Sequence, residues 1–214
     1  MHALLRLTSP AAALVGALAS AATVAAAPAL QVASASHVLG HAGALAVITR
    51  QDPSAYRTTV LAPAAYQAPD IEHLGQQVGT AVVQVTTAAG PMTFAGWVTG
   101  ESPLGFVEDS CAAFAGQQHL AVWLVQVRQT DGIARAEIPV FVDAAPGGRT
   151  ELTWCASSAA DMTVTAVSLR LTNVFVNPIA SGAYTWRATF DLATADSRTT
   201  LGDAATSATA TVRL

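Results

Sequence analysis

From residue 44 to the carboxyl end, short stretches of β-branched and aromatic residues alternate with turn residues, and no segment carries a helical repeat long enough to build a layer. That rhythm confines the chain to the all-β class. "ALAVITR" (44–50) and "YRTTVLA" (56–62) are joined by "QDPS", whose Asp-Pro-Ser order favours a turn and predicts a hairpin. "TAVVQVTT" (80–87) and "MTFAGWVT" (92–99) flank "AAGP" and predict a second. "HLAVWLVQVRQ" (119–129) meets "IARAEIPVFV" (133–142) across Asp131-Gly132, the strongest hairpin signal in the chain.

The faces of these strands are legible in part. "LAVWLV" is apolar on both sides, which marks a central strand. Its partner alternates Ala134, Ala136, Ile138 and Val140 with Arg135, Glu137 and Pro139. Because proline cannot donate to a ladder, Pro139 places that partner near an edge. "RTELTWC" (149–155) follows a Pro-Gly-Gly turn, and in "MTVTAVSLRLTNVF" (162–175) Val167, Leu169 and Leu171 point inward while Ser168, Arg170 and Thr172 face water. The last strands are "AYTWRATFD" (183–191) and "TSATATVRL" (206–214). Residues 70–77 and 108–115 read as short helical pieces. With no tandem repeat and no internal linker, one domain is expected, a division near Glu108 being the alternative.

The amino-terminal stretch has the order of a secretory signal: an early cation (Arg6), an apolar run over 11–27, and small residues at its exit. A membrane anchor is the competing reading, but the run is mostly alanine and no arginine follows it until Arg50. Cleavage after Ala26 or Ala35 is expected. The first 35 residues are then a leader, 36–214 form the mature domain, no stable transmembrane segment remains, and the protein is secreted or held in the cell envelope.

Of the 214 residues, 52% are hydrophobic and 11% charged, a composition that buries a core and argues against disorder. All ten basic residues are arginine, unclustered in sequence, and the net charge is -4, so no nucleic-acid partner is expected. Aromatics are only 6%, which points to a core of small and β-branched side chains. Cys111 and Cys155 are the only cysteines, and in an oxidising compartment an even count reads as one structural disulfide.

"NPIASGAYTWRATF" (177–190) resembles the E-to-F corner of immunoglobulin-like domains, where a Ser-Gly-x-Tyr order delivers a tyrosine into strand F. The resemblance implies a two-sheet antiparallel β-sandwich, with Tyr184 as the corner tyrosine whose hydroxyl bonds back to the chain upstream. It departs from the antibody pattern at Trp186, where a cysteine would stand, and in the adjacency of Trp154 and Cys155. By the same resemblance, residues 192–205 form the F-to-G loop. That stretch is longer than a hairpin needs and polar, so Asp196, Arg198 and Asp203 become the expected binding-loop residues.

No catalytic, cofactor or metal constellation stands out. "GESPLG" misplaces the second glycine of a nucleophile elbow around Ser102, and Pro103 removes the amide an oxyanion hole needs. Glu101, Glu108 and Asp109 are the only compact acidic group. Asp191, Asp196 and Asp203 lack the spacing of a calcium loop. His37 and His41 are four apart without a third ligand, and His119 reads as the exposed start of a strand. The sequence therefore points to an exported, non-catalytic binding or envelope protein of unknown partner. A secreted hydrolase with a loop-assembled site and a small extracellular inhibitor are the rivals.

Overall fold

The computed structural model describes residues 27–51, 54–69, 71–106, 119–129, 135–155, 162–194 and 197–214. Residues 1–26 of the stretch read as a leader lie outside them, whereas 29–34 form the first strand of the sheet, which cleavage after Ala26 would keep and cleavage after Ala35 would remove. The described residues contain eleven strands: β1 (Ala29–Ser34), β2 (Ala42–Arg50), β3 (Ala55–Leu61), β4 (Gln77–Thr87), β5 (Gly90–Glu101), β6 (Ala121–Gln129), β7 (Arg135–Ala145), β8 (Arg149–Cys155), β9 (Met162–Val176), β10 (Ala183–Thr194) and β11 (Ser197–Arg213). The one helical element among the described residues is a 3-10 turn at Pro103–Phe106.

All strands pair antiparallel in one sheet ordered β1-β2-β9-β4-β5-β6-β7-β8-β3-β10-β11. The edge strands β1 and β11 lie side by side, so the sheet curls into a nearly closed barrel. The all-β class is as expected, and the strands are joined in one continuous antiparallel ladder. Alternation fixes one buried face per strand, and that constraint is the same in a sandwich and in a barrel. What joins the strands here is non-local, with β9 inserted between β2 and β4 and β3 between β8 and β10.

Several local expectations are corrected by that order. Strands β2 and β3 do not pair, since β2 lies between β1 and β9 and β3 between β8 and β10. Strands β2 and β3 instead lie on opposite flanks of the β4-to-β8 meander. Pro139 is not on an edge strand, because β7 lies between β6 and β8. The ladder to β8 nevertheless begins only at Phe141, so the proline sits outside that ladder and costs it no hydrogen bond. Residues 71–76 form a turn bridged at Leu74, with His73 at φ 44, rather than a helix. Residues 108–115 lie outside the described residues.

The stretch read as a long loop is a β-ribbon. Strand β10 runs to Thr194 and β11 starts at Ser197, with Ala193 opposite Thr200 and Thr194 opposite Ser197. Lacking a core-facing period, the segment gives no strand signal in sequence, but hairpin pairing carries the ladder beyond the core. Arg198 and Asp203 therefore belong to β11, and Asp196 lies outside the described residues.

The barrel interior is aromatic. Trp123, Trp154, Trp186, Phe94, Phe175 and Phe190 are fully buried among the valines and leucines of alternate strand positions. Val167, Leu169 and Leu171 point inward as expected, while Val164 and Val174, of the opposite parity, also reach the core because register shifts interrupt β9 on either side. The β3–β4 connection crosses one barrel end. It places Tyr66 edge-on against Trp186 at 5.1 Å, and Ile71 O accepts a 2.8 Å bond from Trp123 Nε1. On the outside of β6 and β7, Val122 and Phe141 form a small second cluster under Phe106 and Cys155, which explains why β6 is apolar on both faces.

Candidate ligand-binding face

The alternation that buries Phe94 and Val98 turns Trp97 of β5 outward, where 41% of it is exposed. An exposed tryptophan on the polar side of a strand has little to gain from folding. Its neighbours hold it nonetheless. Trp97 is directly opposite Gln126 of β6, and its Nε1 donates to Gln126 Oε1 at 3.0 Å. Gln126 Nε2 in turn donates to Glu137 Oε1 of β7 at 3.4 Å, and the Arg128 guanidinium sits 5.6 Å from the indole ring centre. The ring is therefore oriented before any ligand arrives.

Register extends this arrangement across the sheet. Thr80 of β4 is opposite Trp97 on one side and Arg170 of β9 on the other. One pair further along, Ile48, Ser168, Val82, Ala95 and Arg128 make a second row across β2, β9, β4, β5 and β6. The small side chains of Ala166 and Ser168 leave a shallow depression of about 160 Å³ beside these rows, bounded by Ile48, Val82, Gln84 and Arg50. Aromatic, guanidinium, amide and hydroxyl groups thus lie on one side of a rigid sheet.

The residues singled out in the sequence fall elsewhere. Tyr184 opens β10 and donates from its hydroxyl to Ala180 O at 2.5 Å, and its ring stands edge-on to Tyr66 at 5.9 Å. Asp191 is held by Arg57 Nε at 2.6 Å, which occupies the carboxylate that an ion site would need. Cys155 ends β8, half-buried, and is not a free thiol. Its expected partner Cys111 lies outside the described residues, as do Glu108 and Asp109. Ser102 gives its carbonyl to Gly105 N in the 3-10 turn, and His37 and His41 are exposed.

His119 corrects its expectation of exposure. It is 8% exposed, stacks on Phe141 at 4.3 Å, and places Nδ1 2.7 Å from Asp143 Oδ2. The histidine precedes β6, and its burial comes from the outward cluster around Phe141, which the strand pattern alone did not announce. A wider depression of about 350 Å³ lies between Tyr66–Ile71 and Gly148–Thr150, with Asp143 at its border. Among the described residues no group of three or more His, Cys, Asp or Glu is placed to hold a metal ion.

Trp97, Gln126, Arg128 and Arg170 were not singled out from the sequence. The available signal was parity, since Trp97 shares its face with Thr93, Ala95 and Thr99 and opposes Phe94 and Val98. Comparison with protein-family models, characterised proteins and solved structures finds no match.

Proposed function

We propose that this is an exported, non-catalytic binding module that holds an extended polar ligand against the outer face of its barrel, around Trp97. The observation that carries the reading is the fixed, outward indole: half-exposed, yet tied to Gln126 and covered on one side by Arg128. Rigid aromatic groups are effective contact surfaces because little conformational freedom is lost when they are covered. A convex sheet face with scattered hydrogen-bonding groups suits recognition along a ligand's length, whereas catalysis requires converging groups in a cleft. The ligand's home is the cell envelope or the extracellular space, in keeping with the secretory order of the leader.

Retention of the full-length protein and its Trp97→Ala variant on cell-envelope extract tests the reading. The variant should stay folded, its melting temperature lowered only by loss of the Gln126 bond and the Arg128 contact, and lose retention. Equal retention of both proteins would place the binding surface elsewhere. An immunoglobulin-like sandwich is the second reading of the fold. The bond from Tyr184 to Ala180 favours it, and the single ladder of eleven strands favours a barrel.

A further inference from the structure

Resting on the reading of this face as a ligand surface, we infer that its ligand is an acidic polysaccharide, a polymer of pyranose rings bearing carboxylates. Strands β1, β2, β4, β6 and β9 contain no Asp or Glu, yet they carry Arg50, Arg128 and Arg170. These are three of ten basic residues in a chain whose net charge is -4. All three are exposed, and the ion pairs among the described residues engage none of them. Strand β5 contributes Trp97 and one carboxylate, Glu101, at its far end. Glu137 of β7 ends the Trp97 row beyond Gln126, so the face sets three arginines against two carboxylates and is more positive than the acidic chain as a whole, which favours anions there over the rest of the surface.

The spacing favours a polymer over a small anion. Arg170 and Arg128 are separated by β4 and β5, three inter-strand steps of about 4.8 Å, or about 14 Å across the sheet. Trp97 lies on the path between them. Guanidinium groups at such intervals bind carboxylates through paired, charge-assisted hydrogen bonds. A pyranose ring offers C–H groups to the indole and hydroxyls to Gln126, Thr80 and Ser168. Single-stranded nucleic acid calls for successive aromatic platforms, and β1, β2, β4, β5, β6 and β9 turn one aromatic side chain, Trp97, toward this surface among their described residues. An anionic membrane calls for a contiguous apolar patch, whereas Ile48, Val82 and Trp97 are set among Arg, Ser, Thr and Gln side chains on this face.

Affinity electrophoresis of the full-length protein in gels containing polygalacturonate, neutral β-glucan or no polymer tests the inference, with anionic vesicles and single-stranded DNA as competitors. Retardation by polygalacturonate alone is expected. Arg128→Gln combined with Arg170→Gln should weaken it by about tenfold or more, Trp97→Ala comparably, and 0.5 M salt should remove most of it, because the screening length falls to about 4 Å at that strength. Both arginines are exposed, so an unchanged melting temperature shows that the variants are folded. Equal retardation by neutral β-glucan through Trp97 would overturn the acidic ligand while sustaining the binding face. Absence of retardation by polygalacturonate, or stronger competition by vesicles or DNA than by free polymer, also overturns it. If retention on envelope extract is likewise indifferent to Trp97, the binding face falls with it.

Discussion

Gly100 lies directly beneath the carbonyl of His73, so that a Cβ on Gly100 would stand 2.2 Å from His73 O. This contact fixes the β3–β4 connection to β5, reinforced by Gly75 N to Gly100 O at 2.8 Å and Gly100 N to Gln76 O at 2.9 Å. The same connection carries Tyr66 and Ile71 over the aromatic core. Gly100→Ala should therefore lift the connection and destabilise the fold by about 1–3 kcal/mol, read as a fall in melting temperature. Gly105→Ala is the control, since a Cβ there meets nothing within 4 Å, and its melting temperature should stay at the wild-type value.

Tyr66 should make the fold sensitive to alkali. Burial, with a smaller contribution from Tyr184, pushes its phenol up to about 12 from 10.0, while the nearby Trp186 pulls slightly the other way. The folded state thus holds the proton more tightly than the unfolded chain. The associated stability is present below pH 10 and is lost as pH rises toward 12. Denaturation midpoints measured across that window should fall for the wild type and fall less for Tyr66→Phe. Because the buried hydroxyl has no hydrogen-bond partner among the described residues, the same variant should cost little at neutral pH.

Tyr184→Phe should cost about 1 kcal/mol, because it deletes the bond to Ala180 O and keeps the ring against Tyr66. A chemical-denaturation midpoint equal to wild type would show that the hydroxyl contributes nothing to the corner.

Peptide mapping without reductant should recover Cys111 and Cys155 in one linked peptide. Closing a loop of that length stabilises by about 4 kcal/mol in the chain-entropy account, so Cys155→Ser should lower the melting temperature by several degrees. Alkylation of both cysteines in the native protein would exclude the bridge.

What the sequence determined by itself was local. Alternation in "TAVVQVTT" and "MTFAGWVT" specified strands, their turn and their buried faces, and the structure pairs them as β4 and β5 with Val83 opposite Phe94. Inward Val167, Leu169 and Leu171 were legible for the same reason, since side-chain direction repeats every two residues whatever the partner strand. The partner was not legible. Placing β9 between β2 and β4 joins Ile48, Ser168 and Val82, residues 120 and 86 positions apart in the chain for the first two and the last two, and no short-range signal encodes that adjacency. The binding face shares this origin. Trp97, Gln126, Arg128 and Arg170 become neighbours only through register across four strands, and the polar ribbon beyond Asp191 becomes a strand only through pairing. Periodicity fixes which way a side chain points, whereas hydrogen-bonded contact between distant segments decides what it meets.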